Sequence, residues 1–407
     1  MLEYNIAIIS VILAAVSLFY YAINSYMAMN YADTTKNTQK PNLKEVTILV
    51  PAYKEDEETF TKCIEAIKEQ GTKFIVVGDG TEQPYRKVTE KNGGKFVFLR
   101  KNMGQRKAHA AGLKYVKTKY VLLVDSDTII PKNTLQSMLS KFDDSVGGMG
   151  TRISIKLEDN WVSYSTEFFQ RAKEIVFKAM ASNGRPIFVI GGRCCLLRVS
   201  AIKSLMESEE FQENKIFNKK CVIAEDMHIT NHLLKSGYKA VIDYDVNVVT
   251  DAQKDFKLLF KQMVRWARGG YLYFFKDITD GSYIKRGTLY SFELFYIYLL
   301  PTVLIITGVL RLRLELNYLL TAITSGISGI GSLLFLNSSL GSLSYLPVLA
   351  LVLNIIGVAI FVYALTRTIK TKRLKTIAAG GIATVIMFFA SIYSLLTVWE
   401  QEKWLTK

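Results

Sequence analysis

Proline is scarce at seven in 407 residues, histidine scarcer at three, and cysteine is held to four. Cys63, Cys194, Cys195 and Cys221 form no C-x-x-C pair and two are neighbours, which excludes a zinc ribbon and argues against a secreted disulfide framework. His109 and His228 show no metal-ligand spacing. No Lys or Arg precedes Lys36, so the positive start of a cleaved signal peptide is missing. No G-x-G-x-x-G follows the first β-rich run, which disfavours a dinucleotide fold. What is abundant is apolar: 50% hydrophobic and 12% aromatic residues exclude a disordered chain. The formal net charge of +15 fits nucleic acid, anionic lipid or a phosphorylated small molecule as partner. Long uncharged segments turn that choice toward lipid, and no nucleic-acid partner is expected.

Residues 5–28 carry no charge and are long enough to cross a hydrocarbon core of about 30 Å. They read as a retained anchor within 1–33. Further candidate spans fall at 289–310, 316–336, 345–365 and 377–398, with Glu293 the acidic exception in the first of them. Glu3 before the first span and Lys36, Lys40 and Lys44 after it place the large domain in the cytoplasm by the positive-inside rule. The basic loop 366–375 belongs on the same side, which requires an even number of crossings between 288 and 366. Three candidates lie there, so one of them is expected to be interfacial or re-entrant, with 316–336 and the Pro301-containing 289–310 as the suspects.

Between 45 and 252 the chain alternates β-rich and helical runs. "VTILVPAY", "FIVVGDG", "KFVFLR" and "YVLLVDSDT" are continuous apolar runs, as strands buried on both faces should be. The economical topology is a parallel, doubly wound α/β sheet, whose ligands bind beyond the carboxyl ends of the strands. Tyr53, Glu55, Asp79, Asp125 and Asp127 all fall there. Asp125 and Asp127, two apart, share one side of the strand end and offer hard oxygens suited to Mg²⁺ or Mn²⁺ on a diphosphate. Taken alone, they read equally well as a solvated Asx turn. Glu225 and Asp226 open a predicted helix, either capping its first turn or supplying a general base. Asp79 precedes Gly80 as a turn residue would. Arg106 and Lys107 lie near a helix start that suits anions, or are simply solvated. Residues 253–287 read as amphipathic interfacial helices: Phe256, Leu259, Phe260, Met263, Trp266 and Tyr273 make an apolar face, and Lys257, Lys261, Arg265 and Arg268 a cationic one. Residues 288–407 form the C-terminal membrane region.

The order of these features, Asp79, "DSD" (125–127), "ED" (225–226) and "QMVRW" (262–266), resembles the D, DxD, ED, QxxRW signature of processive, membrane-embedded family 2 glycosyltransferases such as hyaluronan, chitin and poly-N-acetylglucosamine synthases. "NMGQRKA" is similar to their N-x-G-K-R-x-A stretch, and "GGRCCLLR" to their G-P-x-x-x-Y-R loop, with Gly192 and Arg198 matching. The resemblance implies a GT-A (Rossmann-like) fold that binds a UDP-sugar. By it, Asp79 meets the uracil, Tyr53 and Glu55 flank the nucleotide, and Arg106, Asp125, Gln262 and Arg265 serve the diphosphate region. Asp127, with Asp125, holds the metal; Asp226, beside Glu225, is the base; Gly192 and Trp266 border the acceptor. It further implies UDP-GlcNAc and/or UDP-GlcA as donor and a growing β-linked polysaccharide passed through a multi-pass plasma-membrane protein. The alternative is transfer of a single sugar to a polyprenyl phosphate or lipid. The chain departs from the pattern at Gly78, Gln105 and Arg193, which stand where an Asp, a Lys and a Pro are usual, and Trp404 stands near the place of a tail W-G-T-R motif.

Overall fold

The computed structural model of the protein describes residues 2–33, 40–216, 219–324 and 345–402. A long apolar helix, α1 (Leu2–Met29), leads into the strand-helix alternation β1 (Val46–Ala52), α2 (Glu57–Lys68), β2 (Lys73–Asp79), α3 (Tyr85–Lys91), β3 (Lys95–Leu99), α4 (Gln105–Leu113), β4 (Tyr120–Val124) and α5 (Thr134–Ser140). Then come β5 (Val146–Ile155), α6 (Trp161–Ala181), β6 (Cys194–Arg198), α7 (Val199–Glu207), α8 (Glu209–Gln212), a short hairpin of β7 (Lys215–Ile216) and β8 (Lys219–Lys220), α9 (Glu225–Lys235) and β9 (Lys239–Thr250).

Seven strands share one sheet in the order β3-β2-β1-β4-β6-β5-β9. The first four strands are parallel, as their apolar runs predict. The expected all-parallel sheet needs one correction: β6 runs antiparallel to both β4 and β5. It follows α6, and the chain returns to the sheet at the end where β5 leaves it, so β6 runs against its neighbours. Side chains alternate across the sheet, Leu49, Val77 and Leu123 into one core and Ile48, Val50, Val76 and Leu122 into the other. Gly150 on β5 passes the peptide of Ile190 so closely that a Cβ there would stand 1.8 Å from the Ile190 carbonyl oxygen.

The rest is helical: α10 (Phe256–Thr279), α11 (Ser282–Lys285), α12 (Thr288–Thr324), α13 (Tyr345–Thr368), α14 (Arg373–Ala378) and α15 (Gly380–Leu396). Four stretches are long and apolar enough to cross a membrane: Asn5–Met29, Thr288–Thr307, Val348–Thr368 and Arg373–Leu396. Apolar side chains such as Ile12, Phe19, Leu351, Ile355, Val385 and Phe389 stand exposed on them. Pro301 lies inside α12, which continues to Thr324 where the sequence suggested a break, so part of the 316–336 candidate belongs to this helix and the remainder lies outside the described residues. Apolar helices tolerate an internal proline where neighbouring groups satisfy the freed carbonyl. Within the bundle, the Asn24 side-chain amide of α1 donates to Glu293 of α12 at 2.7 Å, both fully buried.

Helix α6 joins the sheet domain to this bundle, packing against α1, α13, α14 and α15. Its Arg171, 1% exposed, is paired with Glu167 at 3.0 Å and with Glu174. Glu174 also holds Arg152 of β5 at 3.0 Å, and Arg152 donates to the Thr368 carbonyl at the end of α13. A buried cation without such partners would be strongly destabilising.

Candidate active site

The parallel strands deliver their carboxylates to one edge. Asp79, last residue of β2, is buried, and its two oxygens accept from the backbone N–H groups of Met103 (2.6 Å) and Gly104 (2.8 Å). Burial raises its pKa and those two donors oppose the rise. It therefore fixes the loop before α4 in addition to lining the edge. Tyr53 follows β1, its pKa lowered by a hydrogen bond with Asn102 of that same loop. Lys54 takes the left-handed conformation, φ 49°, rare for a side-chain-bearing residue. This turn aims Glu55 across to the "DSD" segment, where the Ser126 hydroxyl donates to its carboxylate at 3.3 Å.

Asp125 and Asp127 are both partly exposed beyond β4. Gln105 donates to Asp125 Oδ1 at 3.1 Å, so the residue in the expected lysine's place still faces this carboxylate, as a neutral donor. Asp127 accepts from the Thr128 hydroxyl, and its other oxygen lies 3.8 Å from the Arg193 guanidinium. Two hard carboxylates at a strand end are donors that fit Mg²⁺ or Mn²⁺. Another acidic group, Asp33, Asp243 and Asp245, is compact enough for a cation, but the Lys141 ammonium already fills it at 2.9, 2.7 and 2.6 Å.

Glu225 and Asp226 open α9 behind Ala224, which itself has φ 59°. No side chain caps that helix from Ala224, and Asp226 accepts from the next backbone N–H, of Met227, at 2.8 Å. Glu225 is buried; burial and then the Asp226 charge raise its pKa, while Arg106 and Arg265 lower it. Gly192 lies directly against this pair: a Cβ on it would stand 3.6 Å from Asp226 Cβ and 3.7 Å from Glu225 Oε1. Arg265 of α10 faces the same carboxylates. Burial lowers its pKa, Glu225, Asp226 and Asp125 raise it, and Arg193 lowers it. Gln262, one turn earlier, is buried, and its side-chain oxygen meets no donor among the described residues. Trp266 stacks on Phe169 of α6, with centroids 5.5 Å apart and planes at 25°, where α6, α10 and α15 meet.

Two expectations are corrected. Arg106 does not present its guanidinium at the strand edge. It is 4% exposed and spans α4 and α9, donating to the Ile223 carbonyl at 2.8 Å, contacting His228 Nδ1 at 3.1 Å and lying over the Phe211 ring. The first turn of α4 is covered by α8 and the segment leading into α9, so its arginine points into that packing, from which it still acts on Glu225 by charge. The cationic side of α10 is likewise divided: Lys257 stays exposed, whereas Arg268 turns into the protein. Arg268 is buried and bonds Thr397 (2.8 Å) and Glu400 (3.0 Å) of the tail. That tail also meets the segment before Glu225, through Val222 N–H to the Gln401 carbonyl at 3.0 Å. Trp404 lies outside the described residues.

Lys173 is the residue that sequence reasoning passed over. It lies on α6 one turn beyond Phe169; burial lowers its pKa, the Asp226 charge raises it, and Arg193 lowers it. No local motif marks it, because only the packing of α6 across the site gives it meaning. The thiol of Cys195 sits beneath these carboxylates, and burial pushes it well up, leaving it unreactive.

This edge, with its carboxylates at successive strand ends and an arginine facing them from a flanking helix, is accompanied by a match of residues 41–269 to the glycosyltransferase like family 2. The chain belongs to glycosyltransferase family 2. An N-acetylglucosaminyltransferase of Rhizobium meliloti is 27% identical over 278 residues, 63% of this chain and 64% of that protein. Another from Bradyrhizobium diazoefficiens is 26% identical over 259 residues, 58% of this chain and 53% of that protein. The chain thus matches less than two thirds of the length of these relatives. Among solved structures, the mannosyltransferase PcManGT of Pyrobaculum calidifontis, in complex with GDP-Man and Mn²⁺, superposes with a TM-score of 0.56 at 17% identity. The superposition covers 87% of this chain and 99% of that one, a likeness of fold. The fold is GT-A.

Proposed function

We propose that this family 2 glycosyltransferase is a processive, inverting synthase that adds sugar from a UDP-sugar, UDP-GlcNAc and/or UDP-GlcA, to a growing β-linked polysaccharide. In this reading the catalytic domain is cytoplasmic and the product leaves through the plasma-membrane helices. One observation carries it: Gly192, Asp226 and Arg265 converge beside the strand-end carboxylates, and Arg265 lies on α10, which packs against the membrane-type helix α15. The N-acetylglucosaminyltransferase relatives favour an N-acetylhexosamine donor.

In the mechanism, Tyr53, Glu55 and Asp79 border the nucleotide, and Asp125 and Asp127 would hold a divalent metal. That metal would supply fixed positive charge against the departing diphosphate. Arg265 faces the same leaving group and neutralises charge as the glycosidic bond breaks. Asp226 takes the proton from the acceptor hydroxyl as its oxygen attacks the anomeric carbon from the opposite side, which inverts the linkage. Gly192 leaves the acceptor room beside Asp226, and Trp266 lies one residue beyond Arg265, toward the bundle.

The test is UDP release by the purified protein with single UDP-sugars and with pairs of them, followed by product sizing on a gel. Long polymer supports the synthase. A single added sugar recovered on lipid replaces it with the single-transfer reading, and no UDP release from any donor sinks both.

A further inference from the structure

We propose that Arg193 is a resident cation of the donor site, one that shares the nucleotide diphosphate with the divalent metal and partly neutralises Asp127 when no metal is bound. The inference rests on reading Asp125 and Asp127 as the diphosphate and metal ligands.

Arg193 stands where the resembling synthases carry proline, so its charge belongs to this chain. Its backbone is anchored at the site, since the Asp125 N–H donates to the Arg193 carbonyl at 3.0 Å, extending the antiparallel pairing of β4 with β6 by one residue. The preceding residue, Gly192, abuts Asp226. One short turn therefore touches both acidic motifs, and its side chain is the only part free to choose a direction.

That side chain, 18% exposed, bonds the Thr250 hydroxyl at the end of β9 and stops 3.8 Å from Asp127, whose own side chain is 37% exposed. The separation to Asp127 is an ion pair without hydrogen-bond geometry. Thr250 orients the guanidinium, and among the described residues it is the one hydrogen-bond partner of the Arg193 side chain, which leaves donors for an oxyanion. On the other side, Arg193 is close enough to Arg265 and Lys173 for its charge to be felt by both. Arg193, Arg265 and Lys173 stand among Asp125, Asp127, Glu225 and Asp226, so the cations offset much of the carboxylate charge before a diphosphate arrives.

Two consequences follow. Nucleotide diphosphate should bind even after metal is removed, because two arginines remain. Metal alone should bind less tightly than to a bare Asp-x-Asp pair, because a guanidinium already sits beside Asp127.

The experiment uses the full chain in detergent or nanodiscs, with calorimetry of UDP and GDP in EDTA and Mn²⁺ titration followed by electron paramagnetic resonance without nucleotide. Wild type is expected to bind a nucleoside diphosphate in EDTA. Arg193→Gln is expected to weaken that binding about tenfold and to tighten Mn²⁺ several-fold, while Arg193→Lys keeps most of the wild-type behaviour and so controls for folding. Unchanged metal-free binding in Arg193→Gln, or none at all in wild type, overturns the proposal. In Asp127→Asn, weakened Mn²⁺ binding supports the metal reading. Unchanged Mn²⁺ binding there removes that reading, and the proposal's account of Asp127 with it, whereas loss of UDP affinity in Arg193→Gln would still establish Arg193 as a diphosphate cation. Preference for GDP over UDP would revise the donor and leave the role of Arg193 intact.

Discussion

Gly192 lies against Asp226, with a Cβ at the glycine falling 3.6 Å from the Cβ of the aspartate. That is ordinary contact, so Gly192→Ala should fold with near-native thermal stability. The methyl group would nevertheless occupy the space through which an acceptor reaches the carboxylate. A fall of at least about tenfold in turnover is expected, with donor binding unchanged, as measured by UDP release and calorimetry. Gly150→Ala is the contrast: its Cβ would collide with the Ile190 carbonyl at 1.8 Å, so it should lower the melting temperature.

Asp226→Asn and Arg265→Ala separate proton transfer from leaving-group stabilisation. Asp226→Asn should lose on the order of 100-fold to 10,000-fold in turnover with the nucleotide still bound. Arg265→Ala should lose about 100-fold to 1,000-fold and weaken UDP as well. Near-normal turnover by purified Asp226→Asn would remove it as the base.

Acid should destabilise the domain through its histidines. His109 is held down to about 4 and His228 to about 3 from an ordinary 6.5, by burial first and then by the Arg106 charge. The folded protein thus binds fewer protons than the unfolded chain below pH 6.5, and stability falls as pH drops through that window. His109 alone accounts for up to about 3 kcal/mol at about 1.4 kcal/mol per pH unit. His109 Nδ1 has no hydrogen-bond partner among the described residues, so His109→Leu should keep the fold and flatten this part of the stability-pH curve. An unchanged slope between pH 6.5 and 4 in thermal melts would refute the assignment.

Asn24→Ala should loosen α1 from α12, because it leaves the buried Glu293 carboxyl without its 2.7 Å donor. A loss of about 1 to 2 kcal/mol is expected, read as a lower melting temperature in detergent, with Glu293→Gln milder because an amide can still accept from Asn24.

The strands and their carboxylates were legible because two of the four apolar runs lead directly into aspartates, Asp79 and Asp125, and strand ends are where ligands meet such sheets. Helix α10 was legible by its apolar period, with observed limits Phe256–Thr279 inside the expected amphipathic region 253–287. The directions of the arginines on helices were not. Arg106 and Arg268 look solvated in sequence, yet partners distant in the chain, Ile223 and Glu400, decide where they point. The antiparallel β6 was equally hidden, since an apolar run of five residues carries no sign of its direction. Lys173 belongs to the site through packing alone.

Helix α6 carries Phe169 beneath Trp266 and Lys173 near Asp226, and it packs both against β5 and against helices of the membrane region. Sheet domain and bundle are thereby geared to one shaft, so a change in bilayer thickness that tilts the bundle would be transmitted to the acceptor side of the reaction centre. Lipid chain length would then act as a throttle on sugar transfer.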